Sequence, residues 1–174
     1  EDLDSFLQSF EHNDTRDQLK TWSDILKDLT KNKPMNRLVC GDVGFGKTEL
    51  AMRASFVVSF EKQVILLAPT TILALQLYNS FTFRFKNFPQ RISLLSRLQT
   101  GNEKKYIIKS IKSGTTDIII GTHALLSESI SFNNVGLVIV DEEHRFGVKQ
   151  KEKIASYSLD LDISYQFTKV IDCK

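Results

Sequence analysis

Residues 41–48 read Gly41-Asp42-Val43-Gly44-Phe45-Gly46-Lys47-Thr48. This stretch is a complete G-x-x-x-x-G-K-T phosphate-binding loop, set between an apolar run and a helical pattern. Glycines let backbone N–H groups curve around phosphates, and the N-terminus of the following helix attracts the same anion. Lys47 supplies a point charge for the β- and γ-phosphates, and the Thr48 hydroxyl can bind Mg²⁺. The stretch therefore predicts a nucleotide–Mg²⁺ site between a strand and a helix.

The apolar runs around this loop predict an α/β fold. Five runs dense in Val, Ile and Leu lack alternation, as expected of strands that are buried on both faces. They lie at Arg37–Cys40, Gln63–Ala68, Ile92–Leu95, Asp117–Ile120 and Leu137–Val140. Helical patterns occur near residues 14–29, 47–60, 71–86 and 102–112, with a shorter one after His123. The alternation predicts a parallel sheet sandwiched between helices.

Composition limits the class of protein. A chain of 174 residues can bury one core, and its 41% apolar and 25% charged residues are ordinary for a globular domain. The net charge of +2 does not by itself indicate nucleic acid. No apolar run approaches the roughly 20 residues of a membrane span, so we expect a cytoplasmic protein without a membrane partner. The Cys and His spacing predicts no structural zinc.

Two carboxylates follow the last predicted strand. Leu137–Val140 runs into Asp141-Glu142-Glu143-His144, and open α/β sheets bind ligands at the carboxyl ends of their strands. We expect Asp141 to hold Mg²⁺ through water and Glu142 to polarise the hydrolytic water. Alone, this segment would fit a solvated acidic turn equally well. Together with the phosphate loop it indicates an ATPase-type site.

The order of these motifs resembles that of superfamily-two helicases and translocases. Asp141–His144 followed by Arg145–Val148 is similar to the RecG and transcription-repair coupling group. RecG proteins typically carry Gln where Glu143 stands, and the run Arg37–Glu49 is more similar to the coupling factors. The likeness extends from Phe6 to Ile163. It implies a RecA-like P-loop NTPase domain, the helicase ATP-binding lobe, with ATP and Mg²⁺ as cofactors.

The resemblance also implies domain boundaries and an adenine-recognition motif. The lobe would span residues 14–163, after a leading segment 1–13 and before a divergent tail 164–174. The family's adenine-recognition motif is matched at Phe10, Thr15, Asp17 and Gln18. A Gln amide can both donate and accept along the adenine edge. Three neighbours depart from the family pattern, and Thr15 with Gln18 also fits a helix capping box, which stays open as the alternative.

DNA-contact motifs are matched where other predicted strands end. Pro69–Ala74 resembles the first of them, and Gly121–His123 resembles the second. The resemblance implies contacts with the backbone of double-stranded DNA through Thr70, Thr71, Arg97, Gly121, Thr122 and His123, with Ser96 beside them. It also implies that Glu143 and His144 couple the nucleotide to the DNA. A Thr at a helix start is also an ordinary cap, so these residues have a structural alternative.

The aromatic stretch Phe81–Phe88 has two interpretations. Interleaved Phe and basic residues are typical of base-stacking surfaces. The alternative is a helix end that packs its Phe residues into the core while Arg84 and Lys86 remain in water. We favour the second, because Phe is a core residue more often than a stacking platform.

The resemblance implies ATP-driven translocation on duplex DNA, displacing stalled RNA polymerase and recruiting excision-repair proteins through other modules. The family's Thr-Ala-Thr-Pro motif is not found after Asp141–His144, and the second motor lobe is not in these residues. Because the chain starts with Glu1, we expect a piece of a longer protein that binds ATP–Mg²⁺ and hydrolyses little alone. The alternatives are a RecG-like helicase lobe, a non-catalytic relic or nucleotide-dependent binding module, and, least favoured, a small-molecule P-loop kinase.

Overall fold

The computed structural model describes residues 2–10, 12–31, 35–39, 46–141, 146–159 and 169–173. Within these ranges six parallel strands form one sheet in the order β1-β6-β5-β2-β4-β3. The strands are β1 Met35–Val39, β2 Gln63–Leu67, β3 Ile92–Leu95, β4 Ile118–Gly121, β5 Val135–Asp141 and β6 Lys169–Cys173. The helices are α1 Asp2–Gln8, α2 Arg16–Thr30, α3 Lys47–Val58, α4 Thr71–Arg84, α5 Gly101–Ser113 and α6 Val148–Leu159, with a 3₁₀ helix at His123–Leu126. The predicted α/β fold with a parallel sheet is confirmed.

Alternate residues of the buried strands face two different hydrophobic cores. Val64 and Leu66 of β2 pack toward α1–α4, whereas Ile65 and Leu67 pack toward α5, α6 and the 3₁₀ helix. Strands covered on both faces read as continuous apolar runs, which explains why the sequence lacks alternation here. None of the helices in the described ranges is both long and apolar enough to cross a bilayer.

Three elements were not predicted from the sequence, namely α1, α6 and β6. Helix α1 lies in the leading segment, and its Phe6 is fully buried and stacks on Phe56 with ring centroids 4.2 Å apart. Strand β6 lies in the segment that we assigned to a divergent tail, and it pairs with both β1 and β5. It thereby separates the strand before the phosphate loop from the strand that ends at Asp141.

The aromatic stretch at the end of α4 contributes to the core, as we favoured, but with one correction. Phe81 and Phe85 are buried and stack with centroids 5.7 Å apart, and Lys86 is exposed. The prediction that Arg84 remains in water is wrong, because its guanidinium binds the Glu49 carboxylate at 2.9 Å. Phe83 is the exception among the rings, with 67% of its surface exposed.

Candidate functional site

The carboxyl ends of the parallel strands share one edge of the sheet, and the strand order divides that edge in two. The phosphate loop follows β1 in the sequence, and Asp141 ends β5; the candidate nucleotide-binding residues Lys47, Thr48 and Asp141 meet at one cavity on this half. The residues after β2, β3 and β4 meet on the other half. A ligand site at the carboxyl edge is the arrangement expected of an open α/β sheet.

The end of the phosphate loop forms the start of α3. Gly46 is the N-cap with φ 81°, a left-handed conformation that favours glycine. No side chain of the described residues caps this helix by a hydrogen bond. The N–H groups of a first helical turn have no partner within the helix, so they are suited to bind a phosphate.

Lys47, Thr48 and Asp141 line one small cavity of about 60 Å³. The wall around them is apolar, with Leu66 and Ile139 from the sheet. An ammonium, a hydroxyl and a carboxylate at a helix N-terminus fit a nucleotide phosphate with Mg²⁺, since that cation prefers oxygen ligands and phosphate. The predicted residues Gly41, Asp42, Val43, Gly44, Phe45, Glu142, Glu143 and His144 lie outside the described residues.

Gln18 caps a helix and also lies next to the phosphate loop. Its side-chain Oε1 accepts from the Thr15 N–H at 2.7 Å, and its own N–H donates to the Thr15 hydroxyl at 3.3 Å, so the capping box is confirmed. Its Nε2 also lies against the phosphate loop, because a Cβ on Gly46 would come within 2.5 Å of that atom. The cap therefore holds the Gln18 amide beside the nucleotide-binding helix.

A second cavity, of about 470 Å³, adjoins the same helix end, and we call it the Phe10 cavity. Phe10 and His12 line it together with Gly46 and Thr48. The two aromatic rings meet edge to face with centroids 5.5 Å apart. Its position beside the phosphate-binding residues makes it the candidate place for the nucleotide base.

A buried ion network supports this cavity and was not predicted from the sequence. The Arg53 guanidinium, only 2% exposed, donates to both carboxylate oxygens of Asp14 at 2.9 and 3.0 Å and to Glu49 at 3.0 Å. Arg84 donates to the other side of Glu49 at 2.9 and 3.1 Å and to the Phe6 carbonyl at 2.7 Å. The network therefore joins α1, the start of α2, α3 and α4. Its sequence signal was the Glu49/Arg53 pair, four residues apart on an otherwise apolar helix.

Opposing effects act on the pKa of Arg53. Burial lowers it, but the hydrogen bonds and charges of Asp14 and Glu49 outweigh burial, and the net pKa lies above the ordinary value. The guanidinium also sits 5.3 Å from the centre of the Phe10 ring, and that of Arg84 sits 5.9 Å away. The two guanidinium groups thus lie close to the Phe10 ring.

The other half of the sheet edge carries a groove of about 630 Å³. It brings together most of the residues that the resemblance assigned to DNA: Thr70, Thr71, Ser96, Arg97, Thr122 and His123. Arg97 and Lys104 are basic, and none of the described lining residues is acidic. The groove therefore presents a locally positive surface on a chain of nearly neutral net charge.

Two of the groove hydroxyls cap helices. Thr70 accepts from the Leu73 N–H at 3.2 Å, and Thr122 accepts from the Ala124 N–H at 3.5 Å. Capping uses the oxygen as an acceptor, so each hydroxyl can still donate its proton to a phosphate. The structural alternative is confirmed for these residues, and it is compatible with a DNA contact.

Ser96 lines the groove, whereas Gly121 does not line it and lies at the end of β4 next to the lining residue Thr122. A Cβ on Gly121 would lie 2.5 Å from the Leu95 carbonyl oxygen, so only glycine lets these strand ends approach so closely. Ser96 is buried, and its N–H and hydroxyl donate to the Gln99 Oε1 at 2.7 and 3.0 Å. These bonds order the turn that carries Arg97.

The chain is similar to several known proteins. It is 52% identical over 90% of its length to the transcription-repair-coupling factor of Borreliella burgdorferi, and covers 14% of that protein. It is 52% identical over 91% of its length to a chloroplastic ATP-dependent DNA helicase of Arabidopsis thaliana, and covers 20% of it. Among solved structures, RecG bound to a three-way DNA junction aligns with a TM-score of 0.83 and 33% identity, over 98% of this chain and 22% of RecG.

A family model also matches most of this chain. The DEAD/DEAH box helicase model matches residues 15–170, which include the cap of α2, the phosphate loop, the groove and most of the sheet. The chain belongs to the DEAD/DEAH box helicase family.

Proposed function

We propose that this chain is the ATP-binding lobe of a DNA translocase of transcription-coupled repair. The main support is the divided sheet edge: Lys47, Thr48 and Asp141 share a cavity on one half, and a basic groove lies on the other. A motor needs the nucleotide site and the DNA site close together, because the state of the bound nucleotide must change the affinity for DNA. The choice of pathway rests on relatives named transcription-repair-coupling factors.

Each residue has a proposed role. Lys47 and the first turn of α3 bind the β- and γ-phosphates, and Thr48 and Asp141 hold Mg²⁺, directly and through water. Glu142 orients the attacking water, while Glu143 and His144 pass the nucleotide state to the groove. Mg²⁺ supplies neutralisation of phosphate charge. The groove residues bind the phosphate backbone of duplex DNA, so the contact is independent of sequence and sensitive to salt.

The chain spans only 14–20% of the length of these relatives, so the activity of a whole motor is a further proposal. In the full-length family we propose displacement of stalled RNA polymerase and recruitment of excision-repair proteins. A second motor lobe supplies arginines that stabilise the transferring phosphoryl group, an effect of about 10³–10⁵ in related hydrolases. We therefore expect these 174 residues alone to bind ATP–Mg²⁺ and to turn over below about 1 s⁻¹.

The test is equilibrium binding of a fluorescent ATP analogue with Mg²⁺, together with phosphate release, for the unaltered chain and for Lys47→Ala. We expect binding that Lys47→Ala abolishes, with negligible release until a second lobe is added. Absence of binding to the unaltered chain would refute a nucleotide-competent lobe and favour the relic. Rapid turnover without a second lobe would refute the expectation that this chain needs a second motor lobe to hydrolyse ATP.

A RecG-like helicase lobe is the second candidate, favoured by the structural similarity to RecG. Linear duplex and a three-way junction of equal length distinguish the two candidates when both are titrated against the chain. Equal affinities support a translocase that grips duplex backbone. A marked preference for the junction supports the RecG-like function.

A further inference from the structure

Phe83 is an exposed aromatic ring at the border of the Phe10 cavity. It lies on α4 between the buried Phe81 and Phe85, yet 67% of its own surface is exposed. It lines the cavity together with Ser80 and Arg84 of the same helix. Water contact with so large an apolar ring is unfavourable, so a ligand that covers Phe83 gains free energy from its burial.

The cavity is bordered by aromatic rings from two separate segments. Phe10 and His12 precede α2, whereas Phe83 comes from α4. Lys86 Nζ lies 4.6 Å from the centre of the Phe83 ring and covers one face of it. The opposite face of the Phe83 ring remains available to stack on a planar ligand. A planar, polarisable ligand such as a purine suits such a site, since bases stack well on aromatic side chains.

The position of the cavity indicates whether its base belongs to a nucleotide or to nucleic acid. It is continuous with Gly46 and Thr48, where the phosphates of a nucleotide would bind. It shares none of its described lining residues with the DNA groove. The occupant is therefore the base of the bound nucleotide and not a base of nucleic acid.

We propose that Phe83 is a nucleotide-binding residue that stacks on the base of ATP opposite the Phe10 and His12 side. This inference rests on the proposed function. No helicase motif identified in the sequence includes Phe83. Arg84, next to it, is fixed by Glu49 and by the Phe6 carbonyl, so this end of α4 is held at a set distance from α3.

The test compares Phe83→Ala, Phe83→Trp and the matched control Tyr106→Ala. Tyr106 is a 75% exposed aromatic residue on α5 that does not line the cavity. Calorimetry measures the affinity of each chain for Mg²⁺–ATP and for inorganic tripolyphosphate with Mg²⁺, which carries no base. We expect Phe83→Ala to weaken ATP about tenfold, within the range for loss of one base-stacking ring, and to leave tripolyphosphate unchanged. Phe83→Trp and Tyr106→Ala should both retain ATP affinity.

Three results would overturn the inference. Unchanged ATP affinity in Phe83→Ala, with binding still lost in Lys47→Ala, removes the role of Phe83 but leaves the proposed function intact. Equal weakening of ATP and tripolyphosphate, with a lowered melting temperature, assigns Phe83 a structural role. If the unaltered chain binds neither probe, both the inference and the proposed function fail.

Discussion

Arg53→Met tests whether the buried ion network holds the N-terminal segment on the motor lobe. Met keeps the length and apolar stem of the side chain but removes the guanidinium. Asp14 then loses two hydrogen bonds of 2.9 and 3.0 Å, and Glu49 loses one of 3.0 Å. Removal of one partner from a buried ion pair typically costs about 3–5 kcal/mol, because a charge is left buried without compensation.

Two features of the network reduce the expected free-energy cost of Arg53→Met. Glu49 keeps its two bonds with Arg84, and Asp14 retains contact with water, with 19% of its side chain exposed. We therefore expect a loss of about 2–4 kcal/mol in the free energy of unfolding. For a domain of this size, about 3 kcal/mol corresponds to a fall of roughly 6–12 °C in melting temperature.

The assay is urea denaturation followed by circular dichroism and by the fluorescence of Trp22, which is buried in the core beside α3. Lys31→Met is the matched control, because Lys31 pairs with Asp28 at 3.0 Å while 63% of its side chain is exposed. Exposed pairs contribute about 0–1 kcal/mol, so the control should change little. A cost below about 1 kcal/mol for Arg53→Met would refute the reasoning.

Three further predictions concern single contacts. Gln63→Leu removes bonds from Nε2 to the carbonyls of Ile111 and Thr116, both 2.9 Å, and from the Asn133 N–H to Oε1, 2.8 Å. The Ile111 carbonyl still accepts from the Gly114 N–H, but Thr116 is buried, so we expect a loss of about 1–3 kcal/mol in urea denaturation, and a neutral result would contradict it. Gly121→Ala places a Cβ 2.5 Å from the Leu95 carbonyl oxygen, so unfolding measurements should show a loss of about 1–3 kcal/mol, together with weaker duplex binding in titrations. For Glu103, hydrogen bonds from the Thr100 backbone and hydroxyl lower the pKa below its ordinary value of 4.5. Because the folded-state pKa is lowered, the stabilisation is present at neutral pH and is lost as pH falls through that pKa. The difference in urea midpoint between Glu103→Gln and the unaltered chain should therefore narrow as pH falls below the ordinary value of 4.5, and a difference that does not change with pH would count against it.

Local patterns in the sequence were sufficient for several features. The capping box of Thr15 and Gln18 depends only on residues three apart, and it formed as predicted. The five apolar runs became strands because uninterrupted Val, Ile and Leu can be buried only in a sheet covered on both faces. The carboxyl ends of β2, β4 and β5, at Leu67, Gly121 and Asp141, each differ from the predicted end by one residue, since boundaries depend on pairing partners as well as on composition.

Other features depend on residues far apart in the chain. Strand β6 is five residues long and stable only because β1 and β5 pair with it on both sides. The bond between Arg53 and Asp14 joins positions 39 residues apart, and that between Arg84 and Glu49 joins positions 35 apart. Neither partner is specified by periodicity, so these contacts could not be inferred from the sequence pattern.

By itself the sequence determined the chemical groups of the candidate nucleotide and DNA sites of a helicase domain: the phosphate loop, the carboxylate at the end of β5, and the hydroxyls and arginine after β2, β3 and β4. Only the tertiary structure decided how these groups are distributed. The strand order places β2 between β5 and β4, so one edge of the sheet carries the phosphate-binding residues on one side and the groove on the other. The tertiary structure also leaves Phe83 exposed and places Arg84 in the ion network. The packing of α4 against α1 and α3 fixes which face of that helix is buried.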